Sequence, residues 1–182
     1  MNWRTKSVRS WGQLGMKSNL STICSYAKGK IPTATLNNAN YISTENMLPN
    51  KEGVTAASSL PTTSQTQEYL AGDVLVSNIR PYFRKIWQAT QTGGCSNDVL
   101  VFRAKPGCDP TFLFYLLSSN QFFDYATATS KGTKMPRGDK TAIMEYEVPT
   151  FDIDTQKRIA ATLVGIDQEI ETNKKINDNL AA

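Results

Sequence analysis

Ile159, Leu163, Ile166, Ile170, Asn173, Asn177 and Leu180 recur at alternating four- and three-residue steps near the end of the chain. This is the a/d spacing of a coiled-coil seam, with two Asn standing in it. No proline interrupts the segment after Thr155, and Asp154 is placed to cap its first turn. The spacing predicts a helix over 155–180, roughly 26 residues and about 39 Å long. Gly165 lies off the seam and costs about 1 kcal/mol relative to Ala. A seam this narrow suits another helix better than a broad core face; the alternative is a terminal helix lying across its own domain. The chain divides on this reading into residues 1–150 and an arm over 151–182.

The first part carries the signals of a mixed domain. Val74–Ile79 reads as a strand, Phe83–Gln88 as its returning partner in a hairpin, and Asp98–Arg103, apolar on both faces, as a central strand. Tyr41-Ile42 is a short β-like start, and Thr55–Gln67 is small, polar and read as a loop or irregular edge. At Asp109-Pro110 the period changes: Asp at N-cap and Pro at N1 open a helix that carries Phe112, Leu113, Leu116 and Leu117. A second short helix holds Phe122, Phe123 and Ala126. Met144, Tyr146 and Val148 alternate with Glu145 and Glu147, the pattern of a half-exposed strand that Pro149 ends. The expected architecture is α+β: a mixed α/β domain with a twisted sheet and short helices, followed by the long helix. With 182 residues there is enough chain for one such core plus an appendage.

What the chain lacks narrows its chemistry. It has no histidine, which removes the commonest general base, the commonest nitrogen ligand for zinc, and any Ser-His or Cys-His pair. Cys24, Cys95 and Cys108 are widely spaced, which favours free thiols and a reducing cytoplasm over a disulfide framework. The N-terminal 19 residues have basic residues but no continuous apolar run, and read as mature protein. No apolar run is long enough to span a membrane. Charge is uneven: residues 1–106 hold 12 Lys and Arg against 5 Asp and Glu, whereas residues 107–182 hold 8 against 11. A basic front and an acidic tail fit a polyanion-binding domain with a solvated or partner-facing end.

Two basic strings stand out. Arg80-Pro-Tyr-Phe-Arg-Lys-Ile-Trp87 interleaves cations with aromatics at the expected hairpin tip. Arg80, Arg84 and Lys85 suit phosphates or base edges, and Tyr82 suits packing on sugar or base. The plain alternative puts Phe83 and Trp87 in the core and leaves the cations solvated. Lys131–Lys140 holds four cations against one Asp, with two glycines that let backbone approach a ligand. There Thr133 and Arg137 suit base edges, while Lys131, Lys134 and Lys140 suit phosphates; a plain surface loop is the alternative. Gly93–Asp98 reads as a turn whose Ser96 and Asn97 cap the following strand; the alternative is a flexible loop that brings Ser96 or Asn97 to a ligand. Asp109-Pro-Thr-Phe112 resembles the tetrapeptide with which adenine-N6 methyltransferases hold a flipped base, but its third residue is Thr and no glycine-rich cofactor loop follows a strand. It is read as a helix start, and no metal cluster, nucleotide loop or nuclease carboxylate pair points to catalysis.

The strings YISTENMLPNKEGV (41–54), GDVLVSNIRPYFRKIW (72–87), GCSNDVLVFR (94–103), GTKMPRGDK (132–140) and EVPTFDIDTQKRIAATLVGIDQEI (147–170) together resemble a target-recognition domain. The family is the DNA specificity subunit of type I restriction-modification systems, and the resemblance runs from about Leu14 onward. It implies a mixed α/β unit on a long helix, two such units per full subunit, and helices paired as an antiparallel coiled coil. It also implies a non-catalytic reader of double-stranded DNA at a bipartite site. Methyltransferase subunits would supply S-adenosylmethionine and adenine-N6 chemistry, and a motor-nuclease subunit would join them. The chain needs no cofactor of its own on this reading. It carries one recognition domain, as a half subunit or fragment, so a symmetric homodimer through residues 155–180 is expected, reading an interrupted palindrome with half-sites about one turn apart. The rival readings are a helix-mediated interaction module without sequence-specific DNA binding, and a stand-alone methyltransferase or nuclease.

Overall fold

Alternation along two buried strands builds the domain in this computed structural model, which describes residues 17–180. The reading of the N-terminus as mature protein falls almost entirely on residues 1–16, outside those described. In chain order the strands are β1 (Lys17–Asn19), β2 (Cys24–Tyr26), β3 (Lys30–Pro32), β4 (Tyr41–Ile42), β5 (Gln65–Tyr69), β6 (Val74–Ser77), β7 (Ile86–Gln88), β8 (Gly93–Cys95), β9 (Val99–Ala104) and β10 (Glu147–Pro149). The helices are α1 (Leu20–Ile23), α2 (Pro110–Leu117), α3 (Asn120–Ala128), α4 (Lys140–Met144) and α5 (Ile153–Leu180).

The central sheet runs β2-β9-β6-β7, all antiparallel, so the interior positions belong to β9 and β6. Successive side chains of a strand face opposite sides, and both sides are covered here. Val74, Val76, Leu100 and Phe102 point into one apolar cluster with Phe112, Leu113, Leu116 and Leu117 of α2 and Phe122, Phe123 and Ala126 of α3. Leu75, Val99 and Val101 point into another, with Ile42, Tyr69 and Cys95 of the second sheet and with Met47. That sheet runs β3-β5-β8-β4, with β4 parallel to β8. A two-stranded pairing of β1 with β10 closes the fold. The α+β architecture, the hairpin, the central position of residues 99–104 and the two apolar helices are as the sequence indicates, but the single expected sheet is two four-stranded sheets and a two-stranded one. Both helix caps form: Asp109 accepts from the Phe112 N–H at 2.8 Å, and Ser119 from Phe122 at 3.2 Å.

Four local readings need correction. Gly93–Cys95 is a buried strand and not a turn. A side chain on Gly93 would run into the Asn40 carbonyl and Tyr69, and one on Gly94 into Thr66 and Leu36, so the glycines let β8 pass between crowded neighbours. The polar stretch 55–67 ends inside β5, whose Thr66 and Tyr69 are buried. Met144–Val148 is not one strand: Asp139 accepts from the Thr141 and Ala142 N–H groups and starts α4, leaving only Glu147–Pro149 extended. The terminal helix begins two residues early, because Asp152 and not Asp154 caps it, accepting from the Thr155 N–H at 2.9 Å and its hydroxyl at 2.8 Å.

Gln156 roots α5 in the domain. Its amide accepts from the Asp109 N–H at 2.9 Å and donates to the carbonyls of Gly107 and Phe151. Ala160 is buried in the core and Ile159 packs against it, and Tyr115 donates to Asp167 at 2.7 Å. Ile159 therefore belongs at least partly to its own domain, as the alternative reading of the helix had it. Leu163 is half-buried, and every residue over 166–179 is exposed. Ile166, Ile170, Asn173 and Asn177 keep their common stripe on that exposed stretch; Leu180 closes the helix.

Candidate nucleic-acid interface

The two basic strings, more than 40 residues apart in sequence, are stitched together edge to edge. Lys131 and Arg137 exchange both backbone hydrogen bonds at 2.9 Å, closing the intervening loop. The return limb then pairs with the end of the β6 strand: Arg80 N–H donates to Pro136 at 2.8 Å, and Gly138 N–H to Asn78 at 3.1 Å. A methyl group on Gly138 would lie 2.8 Å from the Asn78 amide oxygen and 2.9 Å from Ile143, so this seam admits only glycine without a shift. Arg80 also reaches the Lys134 carbonyl at 3.5 Å.

The tip itself is a tight turn, Pro81–Phe83, flanked by Arg80 and Arg84, both left-handed (φ 50° and 53°). Proline fixes one backbone angle, and the two left-handed residues reverse the chain on either side. Tyr82 and Phe83 stand out from it, 49% and 40% exposed with ring centroids 4.8 Å apart. Phe83 is therefore not a core residue; Ile86 fills that place and Trp87 is half-buried. Met135 is similarly exposed on the neighbouring loop. Cations flanking exposed planar rings suit a polyanion that also has flat faces.

The nine residues read from the sequence have different roles here. Lys131, Thr133, Lys134, Arg137 and Lys140 are exposed, with Lys140 in the first turn of α4. Lys131 pairs with Asp139 at 2.5 Å, and that ammonium, with two backbone N–H donors, holds the carboxyl below its usual range. Arg137 donates to Asp98 at 3.2 Å through Nε, and its Nη2 lies equally close. Arg84 reaches Asp124 at 3.5 Å and the Asn120 amide oxygen at 3.2 Å. Lys85 turns inward: its ammonium donates to the Thr44 carbonyl at 2.6 Å, and burial lowers its pKa. Three participants escaped the sequence reading. Lys51 meets Arg84 at Asn120, and Asp98 orients Arg137. Beside Asp98 opens a hydroxyl-rich cleft of about 410 Å³, lined by Ser43, Thr44, Thr55, Ser58 and Ser96.

Two sheets flanked by short helices, a basic ledge at one hairpin tip and a long terminal helix define a domain of the target-recognition class. The chain belongs to the family described as the Type I restriction modification DNA specificity domain, which it matches over residues 3–182. A curated relative, the Type I restriction enzyme EcoDI specificity subunit of Escherichia coli, is 32% identical over 120 residues, 65% of this chain and 27% of the relative. The HsdS subunit from Thermoanaerobacter tengcongensis shares the fold with a TM-score of 0.68 at 18% identity, over 88% of this chain and 44% of that one. The type I restriction-modification S subunit from M. genitalium does so with a TM-score of 0.59, also at 18% identity, over 86% and 40%. The chain thus spans less than half the length of these relatives.

Proposed function

We propose that this chain reads one half of a bipartite DNA site for a type I restriction-modification complex, in the cytoplasm and without catalysing a reaction itself. The observation that carries this reading is the union of two basic strings on one hydrogen-bonded ledge, in a chain of this family. Arg80, Tyr82, Arg84, Lys131, Thr133, Lys134, Arg137 and Lys140 form the DNA-facing set; Lys85 supports the turn from within. Methyltransferase subunits carrying S-adenosylmethionine place the adenine-N6 methyl group, and a motor-nuclease subunit restricts unmodified DNA. The exposed stripe Ile166, Ile170, Asn173 and Asn177 pairs with the same stripe of a second copy, with Leu163 and Leu180 at its ends. Such a two-fold pair reads an interrupted palindrome.

Sequencing of adenine methylation in cells carrying the chain with a matching methyltransferase subunit tests this. The expected result is one interrupted palindromic motif that disappears when the chain is omitted. Methylation indifferent to the chain, or methyl transfer by the purified chain alone, would overturn the reading.

A further inference from the structure

Two proline turns face each other beside the basic ledge. One is Pro49–Lys51, the other Pro81–Phe83 with its flanking arginines, and the Lys51 N–H donates to the Arg84 carbonyl at 3.0 Å. Their cations converge on a single neutral acceptor: Lys51 Nζ lies 3.0 Å and Arg84 Nη1 3.2 Å from the Asn120 amide oxygen. Two full positive charges that share one uncharged oxygen repel each other. The ammonium registers this, since burial and then the charge of Arg84 lower the Lys51 pKa. Asp124 offsets only part of the charge; it reaches Arg84 alone, at 3.5 Å, with 70% of its side chain exposed. The backbone holds the arrangement at some cost, for the non-glycine residues with positive φ among those described are Asn50, Lys51, Arg80 and Arg84, all in these two turns.

We infer that Lys51 and Arg84 seat one backbone phosphate of the bound DNA. An oxyanion with several acceptor oxygens takes a hydrogen bond from each cation and removes the repulsion that Asn120 leaves in place. A base edge fits the pattern less well, because one side chain takes the O6 and N7 acceptors of guanine bidentately, whereas here two separate cations converge on a single point. A nucleic-acid phosphate is favoured over a free one because the seat lies on exposed turns continuous with Tyr82, Phe83 and Arg80. The inference rests on the DNA-reading function above, which supplies the polymer, and not on the target sequence.

The test uses Lys51→Gly, Arg84→Met and the double variant. Glycine accepts the left-handed backbone of Lys51 (φ 68°), so that protein is expected to melt no lower than the parent. In complex with the methyltransferase subunit, duplex affinity at ~0.1 M salt should fall roughly ten-fold, equally for target and random sequence. The salt slope should fall by about 1, and by no more than about 1 in the double variant, because one phosphate is shared. The methylated motif should stay the same. An unchanged slope in the double variant, or a changed motif, would overturn the phosphate seat while leaving the DNA reading intact. If the parent complex binds no duplex, the DNA reading falls. Inorganic phosphate titrated against matched chloride then decides the seat: a saturable shift of the Asn120 side-chain amide signals, lost in Lys51→Gly, keeps it, and no shift removes it.

Discussion

On the proposed DNA-reading function, Arg137 is the residue whose environment best suits reading a base. Its backbone is pinned on both sides by Lys131, its guanidinium is steered by Asp98, and 53% of the side chain still faces solvent. A planar fork fixed in orientation loses little freedom when it meets the O6 and N7 acceptors of guanine. Arg137→Ala should therefore relax the methylation motif at one position and cost about 1–3 kcal/mol in duplex affinity there. Lys134→Ala, by contrast, should weaken binding to all sequences evenly and lower the salt slope by about 1. An unaltered motif in Arg137→Ala, with only an even loss of affinity, would reassign this arginine to phosphate. The cations of both basic strings were legible in the sequence because charge clusters by position. Lys51, Asp98 and Asn120 were not, since each acts only through a partner more than 30 residues away. Lys85 shows the converse: adjacent to Arg84 in sequence, it bonds its ammonium to the Thr44 carbonyl.

At the scale of elements, α5 has two distinct lengths of surface. Up to Asp167 it is held by the domain through Gln156, Ala160, Ile159 and Tyr115; beyond it, exposed residues surround the helix on all sides. Ile166 and Ile170 are 47% and 48% exposed on the stripe that the heptad spacing picks out. At a dilution where the parent is monomeric, replacing both with Glu should leave the melting temperature nearly unchanged, since exposed positions usually count for less than about 0.5 kcal/mol. The same change should abolish self-association by analytical ultracentrifugation. Ile159→Glu should instead destabilise the folded chain by about 2–4 kcal/mol, because it forces a carboxylate against the core. A dimer that survives the double substitution, or an Ile159→Glu chain that melts like the parent, would refute this division of the helix. Elements with strong local signals were legible: the β6–β7 hairpin, the strand at 99–104, and helices opened by Asp109 and Ser119. Those missed lack such signals. β8 carries two glycines and β5 begins Gln-Thr-Gln, while α4 is only five residues long and its cap lies within a basic loop.

Over the whole molecule, β6 and β9 are shared by both apolar clusters, so the two sides of the central sheet should open together. The thiols mark the two sides: Cys24 and Cys108 lie in the cluster under α2 and α3, and Cys95 in the cluster beneath the second sheet. Burial pushes Cys24 and Cys95 up to about 12 and Cys108 to about 11, from an ordinary 9.0. A thiol whose folded pKa is raised ionises first in the unfolded chain. Its contribution to stability is thus complete below pH 9.0 and is lost as pH rises toward 11–12. Half-buried Tyr26 and buried Tyr69 are raised in the same direction and extend the alkaline loss. The urea midpoint should be level from neutral pH to the ordinary thiol range and fall steadily above it, less steeply when all three cysteines are Ala. At about pH 8 the native thiols should resist alkylation, being protonated and enclosed. With added urea, mass spectrometry should find the three modified together, along a single unfolding curve, because losing either face of β6 and β9 exposes the other. Modification of Cys95 at distinctly lower urea would show that the second sheet opens by itself. The ledge built on residues 78–80 and 136–138 would then depend on the α2–α3 side alone for its support.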